Sequence, residues 1–121
     1  MAAPNLVSPT SVYGKTTYAN LSASETAILT NAASSNKLLK VTSLYAANID
    51  GTNSVDCTIK VYSSATAGTA YNLSHLVAIP ARATVVMIGK DAPIYLEEDR
   101  RITVTASASG DLSVVLSYEE V

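Results

Sequence analysis

Tryptophan and phenylalanine are absent from this 121-residue chain, cysteine and histidine occur once each, and charged residues make up only 15%. Each shortage removes a class of function. Cys57, being alone, forms neither an intramolecular disulfide nor a multi-cysteine metal site. It falls on the apolar phase of a strand-like segment and reads as a small buried hydrophobe. His75 has no second histidine or spare cysteine with which to build a zinc site. No serine or cysteine partner motif surrounds it, so a nucleophilic triad is unsupported and His75 reads as a strand-face residue. The eight basic residues leave a formal net charge of −2 and form no patch, which argues against nucleic acid as a partner. No apolar run is long enough to cross a bilayer. The five glycines form neither GxGxxG nor GxxxxGK, so no phosphate cradle is expected. Met1 to Asn5 lacks a basic region followed by a long apolar run, so the expected product is made in the cytosol and reaches any outside location by assembly.

What remains is a chain that fills a core but carries little charge. Hydrophobic residues are 48% of the sequence, and the polarity comes from Ser, Thr and Asn. Thr and Val favour pleated strands while Ser and Asn favour turns. Splitting the chain would leave neither half with enough core, so one domain is expected. Seven tyrosines replace the missing aromatics, each with an apolar ring and a polar tip suited to strand packing or a protein interface.

Residues 1–15, with Pro4, Pro9 and Gly14, read as an extended N-terminal arm, either disordered or laid along another subunit. Thr16 to Leu21 is a first strand. Ser22 to Glu25 has the spacing of a helix start, but Thr26 to Thr30 is too short for a stable helix, and a strand is preferred over a helical turn. Lys37 to Asn48 is a longer strand whose imperfect alternation suits a central or bulged position. The turn from Asp50 to Ser54 leads to Val55, Cys57, Ile59 and Val61, which point one way while Asp56, Thr58, Lys60 and Tyr62 point the other. A hairpin of 37–48 with this strand is expected. Ser63 to Thr69 is a loop, Tyr71 to Ile79 a strand closed by Pro80, and Ala83 to Ile88 an apolar run ending at Gly89. After Pro93 come Ile94 to Leu96, a charged turn, and two alternating segments. Ile102, Val104, Ala106 and Ala108 mark the first; Leu112, Val114, Leu116 and Tyr118 mark the second. Ser109-Gly110-Asp111 between them predicts a second hairpin. The fold class is therefore all-β: a single antiparallel β-sandwich, jelly-roll or immunoglobulin-like, of about eight strands over residues 16–121.

Reactive groups do not converge. Glu97, Glu98 and Asp99 lack the alternating acid ladder of a calcium loop, and Arg100 and Arg101 follow at once, so a solvated turn with local ion pairs is expected. Asn20-Leu21-Ser22 and Asn72-Leu73-Ser74 match the glycosylation acceptor but carry no weight without a secretion signal. No enzyme activity, catalytic residue, metal or cofactor is expected. A glycan platform would require Tyr62, Tyr71 and Tyr95 on one face.

Certain stretches point further. Leu76-Val77-Ala78-Ile79-Pro80-Ala81 enters an apolar strand. Pro93-Ile94-Tyr95-Leu96-Glu97-Glu98-Asp99 leads into Arg101-Ile102-Thr103-Val104. Ala106-Ser107-Ala108-Ser109-Gly110-Asp111-Leu112 leads into Val114 and Ser117-Tyr118-Glu119. Together, over about residues 37–121, these resemble the small β-sandwich virion proteins encoded among the structural genes of tailed bacteriophages. Where that group often has Ala-Gly after Leu-Glu, this chain has Glu98-Asp99, which bears on the turn shape. The resemblance implies a structural role: a capsid decoration (cement) protein on the capsid surface of the virion, made in the host cytoplasm. It would form a homo-oligomer (a trimer is the expectation) and tie subunits of the major capsid protein together. A neck, tail or fibre component of the same virion is the alternative, with a glycan-binding adhesion module behind it. An arm of fifteen residues would reach about 50 Å when fully extended, enough to cross a neighbouring subunit.

Overall fold

The computed structural model describes residues 6–9 and 11–121; the rest of the expected arm, residues 1–5 and Thr10, lies outside the described residues. The described chain forms nine strands in order: β1 (Tyr13–Leu21), β2 (Thr26–Asn31), β3 (Leu39–Asn48), β4 (Val55–Tyr62), β5 (Ala70–Ile79), β6 (Thr84–Ile88), β7 (Ile94–Leu96), β8 (Arg100–Ala106) and β9 (Leu112–Glu120). They build two antiparallel sheets. The larger runs β1-β9-β3-β6, with β7 also on β3, and the smaller runs β2-β8-β4-β5.

The pairings are nested. β1 pairs β9, β2 pairs β8, β3 pairs β6 and β7, and β4 pairs β5. The chain thus resembles one long hairpin, with its tip at residues 63–69, rolled up so that β9 also meets β3 and β8 also meets β4. This is jelly-roll connectivity, not immunoglobulin-like connectivity. β6 and β7 occupy successive stretches of the same β3 edge, Leu44 to Ala47 and Leu39 to Val41. Counting them as one broken strand gives the expected eight. At the tip, Gly68 has φ 84, and a Cβ there would come within 2.8 Å of the Ser64 backbone nitrogen; glycine is the residue that tolerates both demands.

Period-two burial placed the core correctly. Ile102, Val104 and Ala106 of β8 and Leu112, Val114 and Leu116 of β9 are all buried, as are Val55, Cys57 and Ile59 of β4. These join Leu21, Leu44, Ile79 and Leu96 in one cluster between the sheets, each fully buried side chain of this size contributing about 1.5–3 kcal/mol. Residues 26–31 are strand and not a helical turn, and β3 is central and bulged between Val41 and Ser43.

The two expected hairpins are not hairpins. β8 and β9 lie in opposite sheets, and so do β3 and β4. Alternation says which side chains face inward, but it does not say which sheet supplies the strand. The connections decide that by bonding across to their neighbours. Ser107 N donates to Asp56 O at 3.0 Å, and Gly110 N donates to Leu21 O at 2.9 Å, so this loop is anchored to one strand of each sheet. Gly110 takes φ 81 to make the crossing. In the β3–β4 connection, Ile49 N donates to Asp111 O at 2.8 Å, and Asp50 Oδ1 accepts from Thr52 N at 2.8 Å.

The arm boundary also moves. β1 begins at Tyr13, three residues earlier than expected, and the described residues 6–8 form a turn instead of an extended run. Leu6, Pro9 and Val12 line a cavity of about 290 Å³ with Lys40, Tyr95, Glu119 and Val121 of the same chain. This part of the arm therefore lies against its own domain.

Candidate functional site

The expected chemical residues disperse. His75 is exposed on β5. Cys57 is fully buried, and burial pushes its thiol up to about 11. In the charged turn, the local ion pairs give way to bonds that fasten the hairpin tip. Asp99, at φ 60, accepts from Ala65 N at 2.9 Å. Arg100 Nη1 donates to Ser63 O at 3.1 Å, and Arg101 Nη1 donates to Ser64 O at 2.7 Å and Ala67 O at 2.9 Å. A tip of small polar residues has few apolar contacts of its own, and arginine's several donors suit the holding of carbonyls. Among the described residues, no group of three His, Cys, Asp or Glu is placed to hold a metal ion.

Tyr62, Tyr71 and Tyr95 do not share a face, because Tyr62 and Tyr71 belong to the smaller sheet and Tyr95 to the larger. The Tyr62 ring is covered by the Arg101 guanidinium, 3.7 Å from its centroid. Its hydroxyl donates to Glu25 Oε2 at 2.6 Å. The same oxygen accepts from Thr103 Oγ1 at 2.6 Å. These two bonds, Thr103's first, hold the Glu25 carboxyl below its ordinary range, and the bond to Glu25 raises Tyr62.

What the register assembles instead is a surface. On the outer face of the larger sheet, Tyr18 stands opposite Val115, Val115 opposite Tyr45, and Tyr45 opposite Val86. All four are exposed, at 76%, 38%, 42% and 55% in that order. They form one apolar row across β1, β9, β3 and β6, about 14 Å wide at the usual strand spacing. The rows on either side are small and uncharged: Thr16 with Ser117 and Ser43, and Asn20 with Ser113, Ala47 and Thr84. Thr16 and Ser117 share a hydrogen bond between their hydroxyls at 3.1 Å. At one end of the face charge returns where Lys40 and Glu119 approach to 4.0 Å beside Tyr95. The sequence reading missed this row because each of its residues sits on a different strand. Tyr18, Tyr45 and Val115 interrupt otherwise small or polar outward positions, and that was the signal available.

No family model matches the chain, and no curated protein matches it. Among solved structures, the chain is similar to one described under the words "Bacillus endospore appendages form a novel family of disulfide-linked pili", with a TM-score of 0.53 and 15% identity. The match covers 91% of this chain and 85% of that one. At this identity the likeness is one of fold: a β-sandwich of two antiparallel sheets.

Proposed function

We propose that this chain is a structural subunit of a multi-copy assembly, and specifically a capsid decoration protein of a tailed bacteriophage virion that oligomerises and binds the major capsid protein. The observation that carries the reading is the exposed row Tyr18–Val115–Tyr45–Val86, set between uncharged rows on the outer face of the larger sheet. Contiguous exposed apolar surface marks an interaction site, and tyrosine is enriched in such interfaces. A two-sheet body that presents one apolar band suits a partner that is itself rigid and repeated. The sequence resemblance to virion proteins supports a virion partner, and a shell offers such a repeated surface.

The test mixes the purified protein with shells assembled from the major capsid protein encoded alongside it, and counts bound copies by quantitative mass spectrometry. Binding in hundreds of copies per particle, lost in Tyr45→Ser and Val115→Asp, is expected. A handful or a dozen copies would place the protein at the neck or tail, and absence of binding would overturn the reading.

A second reading is a filament subunit, favoured by the structural likeness to a protein whose described assemblies are pili. Those pili are described as disulfide-linked, whereas the single cysteine here is fully buried. A filament of this chain would need another linkage. Electron microscopy of the protein alone separates the two readings, since filaments without any shell would favour the second.

A further inference from the structure

A sheet edge is a row of unpaired N–H and C=O groups that templates another strand, and folded proteins blunt such edges with bulges, breaks, prolines and charge. Among the described residues, three of the four edges are blunted. β2 slips register between Ala27 and Leu29. β5 slips twice against β4, and Leu76 on it takes φ 51. The edge formed by β6 and β7 is broken between Ile88 and Ile94, with Pro93 in the gap. The fourth, β1, is different: its nine residues pair with β9 in unbroken register from Tyr13 to Leu21, with no proline. Its single charge, Lys15, is held by Glu120 Oε2 at 2.6 Å and so does not guard the edge.

We propose that β1 is an assembly edge that pairs antiparallel with β1 of a second copy about a two-fold axis, joining two larger sheets into one. A second copy fits for three reasons. Such pairing carries each β1 residue opposite a residue of the same face, so Tyr18 of both copies stays on the outward side. With the axis at Thr17 the two Tyr18 are diagonal neighbours, each opposite a Thr16, so that the two apolar rows meet with a step of two residues. The facing strands bring no like charges together when the axis passes near the strand's centre at Thr17, because Lys15 then lies opposite Ala19. With one open edge among the described residues of each molecule, the contact is isologous and closes at two copies. This deepens the proposed structural role by naming the contact between copies, and it replaces the expected trimer with a dimer.

The test is a cysteine scan along β1. The native Cys57 is buried and does not compete. Residues directly opposite have Cβ atoms about 4.5–5.5 Å apart, near disulfide range, whereas a residue two places from the axis is about 13 Å from its own copy. Thr16→Cys, Thr17→Cys, Tyr18→Cys and Ala19→Cys are made singly, oxidised and run without reductant, with Tyr71→Cys and Val86→Cys as controls on the blunted edges. The expected result is a sedimentation mass of twice 12.6 kDa and cross-linking that peaks sharply at one β1 position. A monomer at every concentration, or a dimer that cross-links at a control position or nowhere on β1, overturns the pairing. A monomer that still binds shells would overturn the pairing alone; a β1-linked dimer that never binds them would support the pairing and overturn the decoration reading.

Discussion

Asn31 Nδ2 donates to the carbonyl oxygen of Leu96 at 2.9 Å, a bond between residues 65 apart that joins the end of β2 in one sheet to β7 in the other. The same amide also reaches Lys37 O at 3.0 Å. At the opposite end of the sandwich, Asn48 repeats the arrangement from the other sheet. Its Nδ2 donates to Ile79 O and Asn53 O, both at 2.9 Å. The two asparagines are buried, and each ties the sheets together where the chain crosses between them. Replacing either by Ala leaves one buried carbonyl without its donor, at about 1–3 kcal/mol, and a part-buried one that water can reach, so Asn31→Ala and Asn48→Ala are each expected to lose about 1–3 kcal/mol. Urea unfolding measures this. A loss within error would mean that the crossing loops find other donors.

Leu116 and Val115 are neighbours on β9 with opposite fates, one fully buried and one on the outward apolar row. Leu116→Asp puts a carboxylate into the core with no partner, a change that exceeds the stability of most domains of this size, and Val104→Asp does the same from β8. Val115→Asp leaves the core untouched and is expected to fold with a near-normal melting temperature while losing shell binding. Circular dichroism and a binding assay on the three variants check both halves. Comparable destabilisation by Val115→Asp would show the outer face to be covered within the single molecule.

The contrast between those two residues also shows how much of this fold was legible in the sequence. Ile102, Val104, Leu112 and Leu116 announced their inward phase by period two, and every one is in the core. Which strand lies beside which was not legible, because Ser109-Gly110-Asp111 is equally good chemistry for a hairpin and for a crossing loop. What settles it is the bond from Gly110 to Leu21, made with a residue some ninety positions away. Asn48 likewise looked like the end of a strand and not like a brace between sheets. The apolar row was legible only as single outward residues for the same reason: Tyr18 and Tyr45 become neighbours of Val115 only once β1 and β3 flank β9.

Glu25 governs part of the pH response. Its carboxylate is held below the ordinary value of 4.5 by the hydrogen bonds from Thr103 and Tyr62. A carboxyl lowered in the folded state contributes stability that is present above the unfolded value and lost as pH falls through the folded one. Stability is therefore expected to decline as pH drops from 4.5, and Glu25→Gln should flatten that decline. The decline should not vanish, because Glu120, lowered by Lys15 and Lys37, remains. Tyr62 works on the alkaline side. Raised above 10.0 by its bond to Glu25, it contributes stability that is lost above that pH, and the same variant should lessen this loss. Urea midpoints taken from acid to alkaline pH test both limbs, and identical profiles for the two proteins would remove Glu25 from the account.

Where the N-terminal segment ends and the domain begins is decided by β1. Deleting residues 1–12 leaves all nine β1–β9 pairs in place and takes away the cover that Leu6, Pro9 and Val12 give to Tyr95 and Val121. Deleting residues 1–15 also removes the partners of Glu120, Glu119 and Tyr118 and takes the Lys15 ammonium away from Glu120. Backbone hydrogen bonds contribute about 0.5–1.5 kcal/mol each, so the longer deletion is expected to lower the melting temperature by several degrees more than the shorter one. It also shortens the one unblunted edge by a third, so dimerisation should weaken with it, while the shorter deletion keeps the dimer. Scanning calorimetry and sedimentation on the two truncations separate these effects. Unfolding of the 1–12 deletion would mean that the segment is part of the core and not a cover laid on it.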